Sequence, residues 1–152
     1  MILAGGYGTR LGEETRLRPK PMVEIGGEPV LWHLMKYFSH FGHRDFILCC
    51  GYLGEAIKEY FLHYRLRRAS ASFDLARGGE PELFGCTAED WRVTVSDGGR
   101  DALTGSRVRR AGVFTRGEPF FLTYGDGLAD VDLDALLRFH RASGALVTLT
   151  AA

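Results

Sequence analysis

This chain of 152 residues contains little cysteine and proline and has no net charge. The three cysteines are Cys49, Cys50 and Cys86, and their odd number and the adjacency of two exclude a disulfide framework. Cys49 and Cys50 are interpreted as small packing residues in a reducing compartment. Nineteen basic residues balance 19 acidic ones, which argues against a DNA-coating protein or a binder of anionic membranes. No apolar run approaches the roughly 18 residues of a membrane span, and no leader peptide is recognised. We therefore expect a cytoplasmic protein with neither nucleic acid nor membrane as its partner.

Apolar runs alternate with helical patterns along the chain. Strands are predicted at residues 1–4, 21–25, 45–50, 91–96, 119–124 and 145–150. Helices are predicted at residues 31–41, 56–64 and 133–140, with a short basic helix or a loop at 104–111. This alternation predicts an α/β fold, a doubly wound, mainly parallel sheet with helices on both faces, formed by residues 1–152 as one domain. Ligands of such sheets bind outside the carboxyl ends of the strands, so the residues after each strand are the candidates for a site.

The segment after the first strand is rich in glycine and is followed by an arginine. Gly5, Gly6 and Gly8 allow positive φ angles and close approach of a ligand, and successive N–H groups in such a turn can bind an anion. Arg10 adds a planar, permanently charged fork that suits phosphate oxygens. The dinucleotide pattern fails at Leu11, and the P-loop pattern fails at Arg10. A tight turn without a ligand stays open as the alternative.

Two further charged residues are suited to a polyphosphate. Lys20 lies between Pro19 and Pro21, whose restricted backbone presents the lysine from a stiff extended segment. Asp126 lies between two glycines just after a predicted strand, and magnesium commonly takes one or two protein carboxylates together with substrate phosphates. A solvated loop lysine and an Asp-Gly turn are the alternatives. Together with the glycine segment, these residues predict a polyphosphate cradle that binds Mg²⁺.

These segments resemble the signature of the sugar nucleotidyltransferases, also called nucleotide-sugar pyrophosphorylases. The resemblance rests above all on residues 5–11 and 19–27, and it extends over essentially the whole chain through residues 31–33, 45–52, 57–61, 104–107 and 123–127. The run Glu13-Glu14-Thr15 lacks the proline that thymidylyl and uridylyl relatives usually carry in that stretch. In this detail the chain is similar to the branch of the family that uses CTP and glucose 1-phosphate.

The resemblance implies a role for each candidate residue. Arg10 and Lys20 are the implied catalytic residues, which hold the phosphates and stabilise charge on the pyrophosphate leaving group, and Asp126 is the implied Mg²⁺ ligand. The implied nucleotide-binding residues are Leu3, Ala4, Gly5, Gly6, Tyr7, Gly8, Thr9, Thr104, Arg107 and Gly125. The implied reaction transfers a cytidylyl group from CTP to glucose 1-phosphate, in nucleotide-sugar and polysaccharide biosynthesis, and the implied assembly is a homo-oligomer.

Two features depart from the family pattern. Family members are considerably longer, so the chain is expected to be their N-terminal, nucleotide-binding part, with the second magnesium carboxylate and most of the sugar-phosphate pocket beyond Ala152. Ser106 replaces a glycine that the family usually has beside Thr104 and Gly105. Two alternatives therefore stay open: a non-catalytic nucleotide-binding protein that keeps only the CTP half-site, and a transferase of the same fold that uses another nucleotide.

Overall fold

A four-stranded parallel sheet lies at the centre of the molecule, whose computed structural model describes residues 1–6 and 18–151. The strands among these residues are β1 Ile2–Ala4, β2 Glu24–Ile25, β3 Glu28–Pro29, β4 Asp45–Cys50, β5 Ser70–Phe73, β6 Pro81–Phe84, β7 Arg92–Asp97 and β8 Thr123–Tyr124. The central sheet has the order β7-β4-β1-β8, and each of its three neighbouring pairs is parallel. All four carboxyl ends therefore meet at one edge of the sheet.

Helices cover both faces of this sheet. They are α1 Val30–His40, α2 Gly54–Leu62, α3 Thr104–Ala111 and α4 Leu133–Ser143. Successive side chains of a strand point to opposite faces. Helices α1 and α2 and the start of α4 share one core with the even-numbered side chains of β4, whereas α3 packs against its odd-numbered ones. The predicted doubly wound parallel sheet is confirmed. Within the described ranges, every helix is too short or too polar to cross a membrane.

Helix α1 begins and ends close to its predicted bounds. Pro29 immediately precedes it with φ −59°, a position where the missing N–H of proline is not needed. Leu31, Leu34 and Phe38 recur at helical spacing and are buried against the sheet. Gly42 follows the helix with φ +83°, the left-handed conformation that commonly ends a helix. Local sequence signals and burial of one face thus agree in this element.

Strand β4 is buried on both faces, as its continuous apolar sequence predicts. All of its residues after Asp45 are buried. Burial raises the pKa of the Cys50 thiol to about 12, so this thiol stays protonated at neutral pH. Cys49 is also fully buried, and both cysteines are free. The interpretation of the adjacent cysteines as small packing residues is confirmed.

Three predicted strands were wrong in extent or in kind. Residues 20–22 form a 3₁₀ turn with Pro21 near its start, because proline has no N–H for a strand ladder, and only β2 remains extended. Of residues 119–124, only β8 pairs with the sheet. Residues 145–150 form no strand: Leu146 is 99% exposed, and the run pairs with no strand in the described part of the chain.

Two antiparallel hairpins lie outside the central sheet. One joins β2 to β3 and the other joins β5 to β6, and neither hairpin was predicted. The first hairpin is tied to the end of α2. The Tyr60 hydroxyl donates a hydrogen bond of 2.9 Å to Glu28, and Arg68 forms an ion pair with the same carboxylate. Arg68 also stacks on the Tyr64 ring, with its Cζ 3.8 Å from the ring centroid.

Truncation of a central core residue provides a test of this packing. Leu48 of β4 has 0% of its surface exposed, so we expect Leu48→Ala to lower the free energy of unfolding by roughly 2–5 kcal/mol through a cavity. Leu62 at the end of α2 is 78% exposed and serves as the matched control. We expect Leu62→Ala to change the free energy of unfolding by less than about 0.5 kcal/mol. Urea unfolding followed by circular dichroism measures both. Equal losses would contradict the assignment of Leu48 to the core.

Candidate functional site

Each strand of the parallel sheet is followed by a glycine. These residues are Gly5 after β1, Gly51 after β4, Gly98 after β7 and Gly125 after β8. The carboxyl edge of a parallel sheet is where ligands of such folds bind, and glycine leaves the backbone there open to close contacts. The sequence predicts that Gly5 lets a ligand approach the main chain, and this role stays a prediction. The structure shows a protein side chain packed against three of the four glycines.

That side chain is Arg107, which reaches from α3 to the ends of three strands. A Cβ atom at Gly51 would lie 2.6 Å from Arg107 Cζ, and one at Gly5 would lie 2.7 Å from it. At Gly98, a Cβ would lie 2.5 Å from Arg107 Cγ and 2.6 Å from the carbonyl oxygen of Cys50. Because these distances are too short for real contacts, a side chain at any of these strand ends would force Arg107 or the neighbouring main chain to shift.

Arg107 is a buried cation with few partners. Only 7% of its surface is exposed, and its Nη2 donates a long hydrogen bond of 3.4 Å to the Arg100 carbonyl oxygen. Its buried Nε has no hydrogen-bond partner, and no ion pair joins the guanidinium to a carboxylate within the described residues. Its neighbour on α3, Arg110, donates a hydrogen bond of 2.8 Å to the Gly98 carbonyl oxygen. The described part of the carboxyl edge therefore contains a positive charge for which it supplies no carboxylate partner.

The predicted residues Lys20 and Asp126 meet at the other side of this edge. Gly125 donates its N–H to the Leu3 carbonyl oxygen at 2.9 Å, which fixes the end of β8 beside β1. A Cβ at Gly125 would lie 3.0 Å from Pro21 Cγ, so the proline-flanked turn packs closely on this glycine. Lys20 Nζ consequently lies 3.9 Å from Asp126 Oδ2, and their side chains are 21% and 42% exposed.

The remaining predicted residues lie at different depths. Ala4 is buried and Leu3 partly buried within β1, so the main chain and the start of the glycine segment are the parts that face the edge. Gly6 is exposed, and no atom would crowd a Cβ there. Thr104 is the exposed first residue of α3. Tyr7, Gly8, Thr9 and Arg10 lie outside the described residues, so their roles stay predictions.

A cavity of about 320 Å³ opens beside the ends of β4 and β7. Its lining includes Tyr52, Lys58, Asp97 and Arg100, to which the sequence assigned no role. Lys58 of α2 lies 3.7 Å from Asp97, the last residue of β7. Arg100 stacks over Tyr52, with Cζ 5.4 Å from the ring centroid. The available signal was position, because Tyr52 and Arg100 follow two neighbouring parallel strands by two and three residues.

The described residues include no group of three or more His, Cys, Asp or Glu side chains that could hold a metal ion by themselves. Asp126 therefore has no cluster of protein ligands around it among these residues. Such a carboxylate fits a magnesium ion that takes its other ligands from water and substrate phosphates, and it does not fit a metal held by protein alone.

Comparison with known proteins supplies the family. The sequence profile of the MobA-like NTP transferase domain matches residues 1–78, slightly more than half of the chain. The chain belongs to this family of NTP transferase domains. The expectation of a nucleotidyltransferase that arose from residues 5–11 and 19–27 is thereby confirmed at the level of the family.

Individual relatives of the chain are also nucleotidyltransferases. The chain is 50% identical to the glucose-1-phosphate cytidylyltransferase of Salmonella typhimurium over 99% of its own length, and 45% identical to the probable glucose-1-phosphate cytidylyltransferase of Bacillus subtilis. It spans 59% and 58% of the lengths of these two proteins.

Two solved structures share the fold. A crystal structure of apo UDP-glucose pyrophosphorylase superposes with a TM-score of 0.64 at 18% identity, covering 95% of this chain and 56% of that one. The UTP-bound enzyme from Acinetobacter baumannii gives a TM-score of 0.63 at 16% identity, covering 95% and 52%. At these identities the likeness supports the parallel α/β fold and no finer assignment.

The contact between Gly51 and Arg107 makes a prediction for a double-mutant cycle. All three atoms nearest to a Cβ at Gly51 belong to Arg107, so Gly51→Ala should lower the free energy of unfolding by about 1–3 kcal/mol. In the Arg107→Ala background the same substitution should cost little, because the clashing side chain is gone. Chemical unfolding of the two single variants and the double variant measures the coupling.

Two other glycines provide controls for this cycle. Gly98→Ala should stay destabilising in both backgrounds, because its Cβ also meets the Cys50 carbonyl oxygen at 2.6 Å. Gly105→Ala lies inside α3 with no atom within 4 Å of the added Cβ, so it should stabilise the protein by about 0.5–1 kcal/mol. Additive effects of Gly51→Ala and Arg107→Ala would show that the two residues do not touch.

Proposed function

We propose that this chain is the nucleotide-binding part of a glucose-1-phosphate cytidylyltransferase, which transfers a cytidylyl group from CTP to glucose 1-phosphate. The observation that carries the proposal is the meeting of Lys20 and Asp126, 3.9 Å apart, at the glycine-lined carboxyl edge of the sheet. The 50% identity to the Salmonella cytidylyltransferase supports the choice of nucleotide and sugar. The chain spans 59% of that relative, so the complete reaction is a proposal for the chain as given.

In this proposal, Lys20 holds the phosphates of the nucleotide. Its ammonium group is a compact point charge on a flexible stem, but the stem here begins in a turn held by Pro19 and Pro21. Fixing the charge before the reaction starts avoids reorganisation when negative charge develops on the leaving pyrophosphate. Arg10 would act with Lys20 on the same phosphates. Residues 3–9, Thr104, Arg107 and Gly125 would surround the nucleotide.

Asp126 would hold Mg²⁺ together with oxygens of the substrate phosphates. A divalent cation there would neutralise phosphate charge and orient the triphosphate. Asp126 suits this role because its carboxylate is partly exposed and its ion pair with Lys20 is too long for a strong hydrogen bond.

The proposed reaction needs no general base. A phosphate oxygen of glucose 1-phosphate is already an anion when it attacks the α-phosphorus of CTP. A new phosphorus–oxygen bond forms to the sugar phosphate while the bond to pyrophosphate breaks, so the products are CDP-glucose and pyrophosphate. Lys20 and Arg10 would contribute by position and charge, as in phosphoryl transfer generally. A cytoplasmic location, a homo-oligomeric assembly and a place in the supply of nucleotide sugars for polysaccharides such as O-antigen belong to the same proposal.

The first test is pyrophosphate release from CTP, glucose 1-phosphate and Mg²⁺ by the purified chain. If the chain is active, we expect Lys20→Ala to lower the rate by roughly 10²–10³-fold, as removal of one charge-stabilising group does in other enzymes. Lys36→Ala on α1, which removes an exposed ion pair with Glu89, should leave the rate unchanged. Competition among CTP, UTP, dTTP and GTP identifies the nucleotide.

Pyrophosphate release and CTP binding together distinguish an active transferase from a protein that keeps only the nucleotide half of the site. CTP binding without pyrophosphate release would support a non-catalytic nucleotide-binding protein, an alternative that the 59% coverage of the Salmonella relative keeps in view. Preference for another nucleotide would support a different transferase of this fold. No nucleotide binding at all would contradict the proposed function.

The role of Asp126 is tested by calorimetric titration with CTP at several Mg²⁺ concentrations. We expect Asp126→Asn to remove most of the tightening of CTP binding by Mg²⁺, because a neutral amide replaces the carboxylate ligand. The exposed Asp134 in the first turn of α4 provides the matched control, and Asp134→Asn should leave the Mg²⁺ dependence intact. An unchanged dependence in Asp126→Asn would remove this residue from the metal site.

A further inference from the structure

The segment that carries Asp126 is exposed, but the structure holds it at both ends. Residues 126–130 are all exposed and lie between Gly125, which is buried, and Val131, which is partly buried. Gly125 is held by its hydrogen bond to β1. At the other end, the Val131 N–H donates a hydrogen bond of 3.0 Å to the hydroxyl of Tyr37 on α1, and this hydroxyl donates in turn to the Val131 carbonyl oxygen.

One hydroxyl group thus bonds both main-chain polar groups of a residue that lies 94 positions further along the chain. A tyrosine hydroxyl can donate and accept at once, and the two bonds together fix the position and the rotation of the Val131 backbone. The Tyr37 ring packs on the ring of Phe41, with 5.4 Å between the centroids. Ring packing needs no hydroxyl, so the oxygen is explained by its two partners on Val131.

Helix α4 begins directly after this contact and is held by residues of its own. The Asp132 carboxylate accepts a hydrogen bond of 2.8 Å from the Ala135 N–H, which caps the helix, and Leu133 is buried in the core. The Tyr37 hydroxyl acts one residue before this cap, on the side of Asp126. Its particular contribution is therefore to the exposed segment and not to the helix.

Asp126 is the residue of this segment that needs a fixed place in the proposed function. Magnesium demands near-octahedral geometry, so a carboxylate ligand has to lie in one position relative to the substrate phosphates. Gly125 and Gly127 flank Asp126, and glycine loses more conformational freedom on ordering than any other residue. A metal ligand on such a segment binds well only where the segment is ordered before the metal arrives.

We propose that Tyr37 is a positioning residue for Asp126, which orders residues 126–130 by holding Val131 and so favours Mg²⁺ binding together with the nucleotide. The inference rests on the proposed function and adds to it a residue of α1 that acts without contact with the metal or the nucleotide. Loss of the hydroxyl leaves the ring packing in place and frees one end of the segment.

Calorimetric titration with CTP, with and without Mg²⁺, tests the proposal. We expect Tyr37→Phe to lower the tightening of CTP binding by Mg²⁺ about 3–10-fold, the effect of one hydrogen bond, and to change CTP binding without Mg²⁺ by at most about twofold. Tyr64→Phe is the matched control. It removes a hydroxyl that accepts a hydrogen bond of 2.9 Å from Trp32, where α1 meets the end of α2, and should leave both affinities unchanged.

A double-mutant cycle shows whether Tyr37 acts through Asp126. In the Asp126→Asn background, Tyr37→Phe should have no further effect on the Mg²⁺ dependence. Amide hydrogen exchange gives a readout that needs no ligand: the Val131 amide should exchange about tenfold or more faster in Tyr37→Phe, while the amides of β4 keep their protection. Should Tyr37→Phe not fold, exchange of the wild-type chain decides, and an unprotected Val131 amide overturns the proposal.

The role of Tyr37 and the proposed function can fail separately. If Asp126→Asn removes the Mg²⁺ dependence and Tyr37→Phe does not, the proposed function stands and the role of Tyr37 is overturned. An equal loss of CTP binding with and without Mg²⁺ in Tyr37→Phe overturns it as well. If wild-type nucleotide binding ignores Mg²⁺, the proposed metal site fails and the role of Tyr37 fails with it. If another nucleotide binds better than CTP, the cytidylyl assignment fails, and a smaller Mg²⁺ effect on that nucleotide in Tyr37→Phe still supports the inference.

Discussion

The close packing of one arginine on the ends of three parallel strands is the constraint on which the candidate site depends. Arg107 reaches this place because α3 lies close to the sheet, where the small side chains of Ala111 and Cys49 are fully buried in its contact with β4. A bulkier pair would hold the helix further away. This position of Arg107 restricts the residues at the strand ends, because its side chain leaves no room for a Cβ there. Gly5, the first residue of the glycine segment, is thus packed against a protein side chain, whereas Gly6 is open.

Two basic regions lie at different places along the carboxyl edge. Arg107 lies under the ends of β7, β4 and β1, whereas Lys20 lies beside Asp126 at the end of β8. Neighbouring strands are about 4.8 Å apart, so the distance from β4 to β8 across β1 is roughly 10 Å. An elongated anionic ligand that lies across the edge would meet both regions. This geometry is consistent with a nucleoside triphosphate and less so with a small, compact anion.

The sequence predicted the elements whose local and tertiary signals agree. The apolar run of β4 and the helical spacing of α1 each determine a type of structure and the face that is buried. The rule on strand carboxyl ends predicted Asp126, and the flanking prolines predicted Lys20. The sequence could not predict the burial of Arg107, because no local pattern distinguishes an arginine that faces water from one that covers distant glycines.

Residues 145–150 were misread as a strand, since an apolar run becomes a strand only where a neighbour offers hydrogen bonds, and the described chain offers none there. The β5–β6 hairpin was missed because its two strands have no clear alternation of buried and exposed side chains.

Two ion pairs of the chain differ in burial and in distance. One stabilises the fold, and the other leaves its charges available to a ligand. Arg68 and Glu28 are both mostly buried and tie the β2–β3 hairpin to the end of α2. Lys20 and Asp126, in contrast, are 3.9 Å apart and partly open to water, a geometry that contributes little to folding. In the proposed reaction, a metal ion that binds Asp126 would end its attraction for Lys20 and leave the ammonium group to the phosphates. The weak pair is therefore an arrangement that a ligand can exchange at small cost, because neither partner has to leave a strong interaction first.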